Sequence, residues 1–186
     1  NLELDYAGKQ LYLHNRRNPE ETTKVTIFIA ALTYSDYFYA EGMTECDIKN
    51  WIRVNNNALA YFGGVTPTIT PDNCKVAVAK NKDWISPVLN KDFQAWAEHN
   101  DTVLTPAKVK SPRWKPVVEG HVKIVTMHIL VDMEDMIFYS LDDLNRVLME
   151  KVAAENRKPF EGLTYSRYDL FATEEKETLL PLPTNR

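Results

Sequence analysis

Three acids, Asp5, Asp72 and Glu119, fall where strands or helices are expected to begin or end, and so could converge from separate elements. Such carboxylates suit a hard divalent cation like Mg2+, which takes oxygen ligands and keeps several waters. Two such ions would activate an attacking oxygen and stabilise a leaving oxygen in an in-line phosphoryl displacement. Type and position alone do not single these three out, because some of the 26 acids in the chain will always lie at element ends. A basic stretch of Lys108, Lys110, Arg113 and Lys115 precedes Glu119, and Lys123 follows it one helical turn later. These five cations could bind phosphates. They could equally be a solvated loop and an i,i+4 ion pair.

Other reactive side chains read as structural. His121 and His128 have no carboxylate or cysteine at a metal-site spacing and are set aside as primary ligands. Cys74 lies close to Asp72, but with no histidine nearby in sequence to draw out a thiolate it reads as a small packing residue. Cys46 and Cys74 form neither a disulfide framework nor a zinc site. Asp132, Glu134 and Asp135 point to different sides of a helix end and read as a solvated patch, whereas Trp51 and Trp96 lie on apolar stripes.

The elements that would hold the acids follow from periodicity. Leu2 and Leu4 alternate with Glu3 and Asp5, and Leu11 and Leu13 resume the pattern after Gly8, which predicts a first strand that bends or turns there. Val25–Leu32 is nearly all apolar and rich in β-branched residues, as in a central strand, and Tyr37–Glu41 follows as a third. Thr44–Asp47 reads as a capping box for a helix carrying Ile48, Trp51, Ile52, Leu59 and Phe62, stopped by Gly63 and Gly64. Val65–Thr70 carries Pro67, which suggests a strand near a sheet edge, with Pro71-Asp72-Asn73 as its turn. Leu89, Phe93 and Trp96 make a second helical stripe, and Thr102–Leu104 a short strand. A third helix, with Pro116 in its first turn, would bury Val118, Val122, Val125, Ile129 and Met133 and carry Lys115, Glu119 and Lys123 on another face. Ser140 caps a last helix with Leu141, Leu144, Val147 and Leu148.

The chain has 186 residues, 44% of them hydrophobic, enough for one sizeable core. Residues 1–158 read as that core and 159–186 as an extended tail leading toward a further domain. No apolar run approaches the ~20 residues of a membrane-spanning helix, and no signal peptide is evident, so a cytoplasmic protein without membrane contact is expected. The first residue is not Met, and strand alternation starts at the second, so the chain reads as a piece of a longer protein. Its formal net charge of −4 predicts weak DNA binding by this piece alone. No GxxxxGK[ST] nucleotide loop occurs.

Leu4-Asp5-Tyr6, Tyr61-Phe62-Gly63-Gly64-Val65 leading to Pro71-Asp72-Asn73, and Val118-Glu119-Gly120 occur in this order. Asn156-Arg157-Lys158-Pro159-Phe160, Ser166-Arg167, Leu170-Phe171 and Leu180-Pro181-Leu182-Pro183 continue the series. The ordered set resembles the catalytic domain of IstA-type insertion-sequence transposases, within the DDE transposase and retroviral integrase superfamily, over nearly the whole chain. The resemblance implies an α/β, ribonuclease-H-like fold with a mixed five-stranded sheet flanked by helices. It matches Asp5, Asp72 and Glu119 to the family's metal-holding triad, with two Mg2+ ions for which Mn2+ can substitute. The interval from Asp72 to Glu119 is longer than in retroviral integrases, and Lys80–Lys91 is the candidate insertion. Ser111-Pro112-Arg113-Trp114-Lys115-Pro116 departs from the family pattern.

The activity so implied is phosphodiester hydrolysis at transposon ends and 3'-OH strand transfer into target DNA. The implied partners are double-stranded transposon ends and target DNA, further copies of the chain assembled on them, and an AAA+ ATPase helper. The location implied is the bacterial nucleoid, and a helix-turn-helix region before Asn1 is expected to recognise the ends. A structure-specific nuclease of the same fold, and a catalytically idle assembly domain, remain the alternatives.

Overall fold

The computed structural model describes residues 1–72, 74–78, 83–106 and 121–184. Strand β1 (Leu2–Tyr6) runs antiparallel to β3 (Thr22–Leu32), with Leu2 opposite Leu32 and Tyr6 opposite Phe28. Strand β2 (Leu11–His14) continues along β3, with Leu11 opposite Val25. Residues 7–10 between them therefore face only Thr26 and Ile27 of β3, so the first strand bends at Gly8 and keeps its partner. Strand β4 (Phe38–Met43) lines the other edge of β3. On the far side of β1 lies β5 (Thr68–Pro71), parallel to it, and then β8 (Val103–Leu104), parallel to β5.

Six strands thus occupy five positions across one mixed sheet, with β1 and β2 sharing a position. The sheet has the mixed character and helical flanks expected from the sequence. A separate hairpin, β6 (Val76–Val78) with β7 (Asp83–Ile85), precedes helix α2 (Lys91–His99).

Both faces of the sheet are covered, which is why β3 reads as an almost unbroken apolar run. Phe28, Ala30 and Leu32 point into a core with Leu2, Leu4, Ile69 and the residues Trp51, Leu59 and Phe62 of α1 (Ile48–Phe62), joined by Phe93 and Trp96 of α2. Val25, Ile27 and Ile29 point the other way, against Val122, Ile129, Leu130 and Met133 of α3 (His121–Glu134) and Leu144, Leu148 and Val152 of α4 (Leu141–Arg157).

Several local expectations change. Helix α1 is capped by Asp47, whose carboxylate accepts the Asn50 amide, rather than from Thr44. Asp47 bridges to Ala77 of the hairpin, which fixes the chain there and delays the helix start. Strand β5 is flanked by β1 and by the outermost strand β8, one place in from the sheet edge. Its prolines are tolerated because Pro67 precedes the strand and Pro71 is its last residue, where no ladder donor has to be supplied mid-strand. Leu89 belongs to a short 3-10 turn, Pro87–Leu89, and is largely exposed. Asn90 starts α2 after it by accepting the amides of Asp92 and Phe93.

The segment after Arg157 is not extended. Ser166 and Asp169 form a reciprocal capping box at α5 (Arg167–Leu170), followed by a π-turn, Phe171–Glu175, and a 3-10 turn, Lys176–Thr178. Leu180 then pairs with Val65 through both backbone groups, at 2.8 and 2.9 Å. Phe171 stacks on Tyr37 with ring centroids 4.4 Å apart, so burial of aromatic surface outweighs the proline punctuation.

Candidate active site

Asp5 lies opposite Ile29 in the β1–β3 ladder and therefore faces the side of the sheet covered by α3 and α4. Leu4 is in register with Pro71 of β5, and the Asp72 amide donates to the Leu4 carbonyl at 2.7 Å. Asp72 is thus the next residue beside Asp5, at the carboxyl ends of two adjacent parallel strands. Open α/β sheets place their ligands at such ends.

The third group present is Lys123, in the first turn of the described part of α3. Its Nζ lies 2.6 Å from Asp5 Oδ2, with the aspartate side chain 14% exposed and the lysine side chain 47%. The other oxygen, Oδ1, accepts the Tyr6 amide at 2.8 Å. Burial pushes the Asp5 carboxyl above its ordinary value, and the neighbouring Asp72 charge pushes the same way, against the Lys123 ammonium and the Tyr6 amide. The hydrogen bond to Asp5 in turn raises the Lys123 ammonium, keeping it charged.

Cys74 is buried close by, its thiol pushed well up by burial and by the charges of Asp5 and Asp72. That environment disfavours a thiolate and fits the packing role read from the sequence. The Tyr6 hydroxyl donates to the Lys75 carbonyl at 3.0 Å, tying the end of β1 to the segment that follows Asp72. Sequence reasoning missed this tether, although Tyr6 is part of the Leu4-Asp5-Tyr6 motif.

Among the predicted site residues, Asp5, Asp72 and Lys123 come together. Glu119 and the cations Lys108, Lys110, Arg113 and Lys115 lie outside the described residues. Lys123 had two readings from sequence, a phosphate contact or a partner of Glu119; among the described residues it pairs with Asp5, a partner neither reading named. His128 is exposed on α3, and Asp132, Glu134 and Asp135 are exposed at its end, with Glu134 paired to Lys9 at 2.9 Å. Among the described residues, no three metal-binding side chains form a cluster, and no helix is long and apolar enough to cross a membrane.

The donor chemistry fits magnesium. Two carboxylates held side by side repel each other unless a cation lies between or beside them, and both are hard oxygen donors. Lys123 supplies such a charge to Asp5.

No protein-family model matches the chain. A provisionally named transposase y4bL/y4kJ/y4tB of Sinorhizobium fredii is 38% identical over 157 residues, 84% of this chain and 30% of that protein. A provisionally named transposase for insertion sequence IS1162 of Pseudomonas fluorescens is 34% identical over 98% of this chain and 32% of its own length. The transposase for insertion sequence element IS21 of Pseudomonas aeruginosa is 29% identical over 86% of this chain and 40% of its own length. The chain thus spans about a third of the curated relatives it matches most strongly.

Among solved structures, the HTLV-2 integrase catalytic core domain in complex with magnesium superposes with a TM-score of 0.58 at 13% identity, covering 90% of this chain and 92% of that one. A chain of the simian T-cell lymphotropic virus intasome gives 0.61 at 15% identity, covering 97% of this chain and 57% of that one. These structural likenesses bear on the fold. The sequence relatives show that the chain belongs to the insertion-sequence transposases, and the structural likenesses give it the integrase catalytic-core fold.

Proposed function

We propose that this chain is the catalytic core of a DNA transposase, which hydrolyses the phosphodiester at an element's end and joins the freed 3'-hydroxyl to target DNA. The observation that carries the reading is the juxtaposition of Asp5 and Asp72 at neighbouring parallel strand ends, with a lysine cation on one of them. Glu119, four residues before Lys123 in sequence, is proposed as the third acid. Bound to these acids, one or two Mg2+ ions, or Mn2+ in their place, would activate the attacking oxygen and stabilise the leaving one.

The chain's own residues do the positioning. The Tyr6 amide fixes Asp5 Oδ1, so the carboxylate presents its other oxygen outward. The sheet ladder holds Asp72 beside it, and Lys123 offers a cation where a phosphate would approach. Lys108, Lys110, Arg113 and Lys115 are proposed to hold the DNA backbone, whose affinity comes from neutralised phosphates. The net charge of −4 leaves most of that affinity to other parts of the protein. Oligomers assembled on paired transposon ends and target DNA, an AAA+ ATPase helper and action at the nucleoid belong to the same proposal.

The test uses the full-length transposase with pre-cut element ends. Asp72→Asn and Asp5→Asn are expected to lower strand joining by roughly two to three orders of magnitude, as for loss of a charge-stabilising group, with DNA binding retained. Undiminished joining in either variant would sink the catalytic assignment. Cleavage without joining by the wild type would identify a nuclease instead.

A further inference from the structure

We propose that Lys123 is an internal stand-in for the metal: its ammonium sits on Asp5 where a divalent ion would bind, and the ion must displace it. The inference rests on the reading of Asp5 and Asp72 as metal ligands and goes beyond it, because it concerns what the site does before an ion arrives. The Asp5 carboxylate has two oxygens, and one is already committed to the Tyr6 amide at 2.8 Å. The other is taken by the Lys123 ammonium at 2.6 Å. Each oxygen keeps a second lone pair, but an ion bound to Oδ2 would lie beside the ammonium already there, and the repulsion between the two cations makes them compete for it.

The two partners differ in freedom. Asp5 is held on an interior strand, with a ladder partner on each side of the strand that carries it. Lys123 extends from a helix turn on a flexible four-carbon stem, and its side chain is 47% exposed, so it has solvent to retreat into. The exchange moves the lysine and leaves the carboxylate in place.

A reason for such a device lies in the surroundings. Two adjacent carboxylates, one of them mostly buried, are costly to hold together without a counter-cation. Lys123 meets that cost and keeps Asp5 in its binding geometry. The ammonium released by ion loading is left without its carboxylate and free to take a phosphate of bound DNA. Ion binding and DNA binding then favour each other by the same factor, as linkage requires.

The experiment is calorimetric titration of Mn2+ into this chain without DNA, comparing wild type with Lys123→Gln, Lys123→Arg, Asp5→Asn and Asp72→Asn. Circular dichroism melts establish that each variant is folded. Lys123→Gln is expected to bind the ion about tenfold tighter, since the competing ammonium is gone. Lys123→Arg, which retains a cation, should stay within about threefold of wild type. Unchanged or weaker binding in a folded Lys123→Gln overturns the stand-in role while leaving the metal site intact. Ion binding that survives both aspartate substitutions overturns the metal-site reading itself, so the two failures are distinguishable.

Discussion

Glu175 lies in the π-turn and is buried, with one carboxylate oxygen lacking any partner. Burial raises its carboxyl above the ordinary glutamate value, against a compensating hydrogen bond from Ser35. The folded chain thus holds this proton more tightly than the unfolded chain. The associated stability is complete below the unfolded glutamate value, about 4.3, and is lost as pH rises through the higher folded value. Glu175→Gln mimics the protonated group, so its melting temperature should exceed that of wild type by a margin that widens from pH 4 toward neutrality. Melts across that range that stay parallel would refute the assignment. At this scale the sequence was informative about position along an element, as for Asp5 and Asp72 at neighbouring strand ends. It was silent where partners come from distant elements: nothing local links Lys123 to Asp5, or Ser35 to Glu175.

At the level of elements, the β4 edge of the sheet is the telling case. Among the described residues β4 pairs with β3 alone, and an open edge invites pairing with another chain. Helix α4 closes it with two amides. Asn145 accepts the Gly42 amide at 2.6 Å and donates to the Gly42 carbonyl at 3.2 Å, while Asn156 accepts from Phe38 at 3.3 Å and donates to its carbonyl at 2.8 Å. The approach requires a glycine: a Cβ at position 42 would lie 2.7 Å from Val25 Cγ1 and 3.1 Å from the Asn145 oxygen. Asn145→Ala and Asn156→Ala should each cost about 1–3 kcal/mol by stranding edge donors and acceptors. For a chain of this size that lowers the melting temperature by roughly 2–4 °C per kcal/mol. The double variant should also self-associate, visible as a concentration-dependent species by sedimentation. A monomeric double variant of wild-type stability would contradict the clamp.

The elements themselves were mostly legible because their patterns are strong, such as the unbroken β3 run and the Ser140 cap, whose side chain does accept the Asp143 amide. Helix α3 was harder. It is apolar on most sides, with Ile124 and Val131 exposed at 55% and 50%, so the expected stripe caught Val122, Ile129 and Met133 but not the fully buried Thr126 and Leu130. Strand β5 does lie near the sheet edge, one place in from β8. A proline excludes only the position it occupies, and a strand of four residues can keep its prolines at the ends.

On the scale of the whole molecule, the segment from residue 159 to 184 decides whether the sheet and its helices form a stable unit. Proline spacing suggested an extended tail, yet this segment covers the open side of one core. Tyr168 lies under the Arg157 guanidinium at 4.1 Å, Phe171 stacks on Tyr37, and Leu179 and Leu180 pack near Val65. Gly64 marks how close the return is, since a Cβ there would meet Leu179 Cβ at 2.6 Å and the Leu180 carbonyl at 2.9 Å. Phe171→Ala should destabilise the chain by about 3–5 kcal/mol, as for other buried aromatic truncations. Deleting residues 159–186 removes that ring together with the Leu180–Val65 pairing, so the truncated chain should lose its cooperative melt at ambient temperature. For that reason, deletion is a poor test of whether the proposed helper ATPase docks on this segment. The exposed Leu163 and Tyr165 are better probes, because Leu163→Ala and Tyr165→Ala should leave the core melt unchanged while testing docking. A truncated chain that melts cooperatively within a degree or two of the intact one would show that residues 1–158 fold alone and that the contacts of Phe171 and Leu180 are incidental.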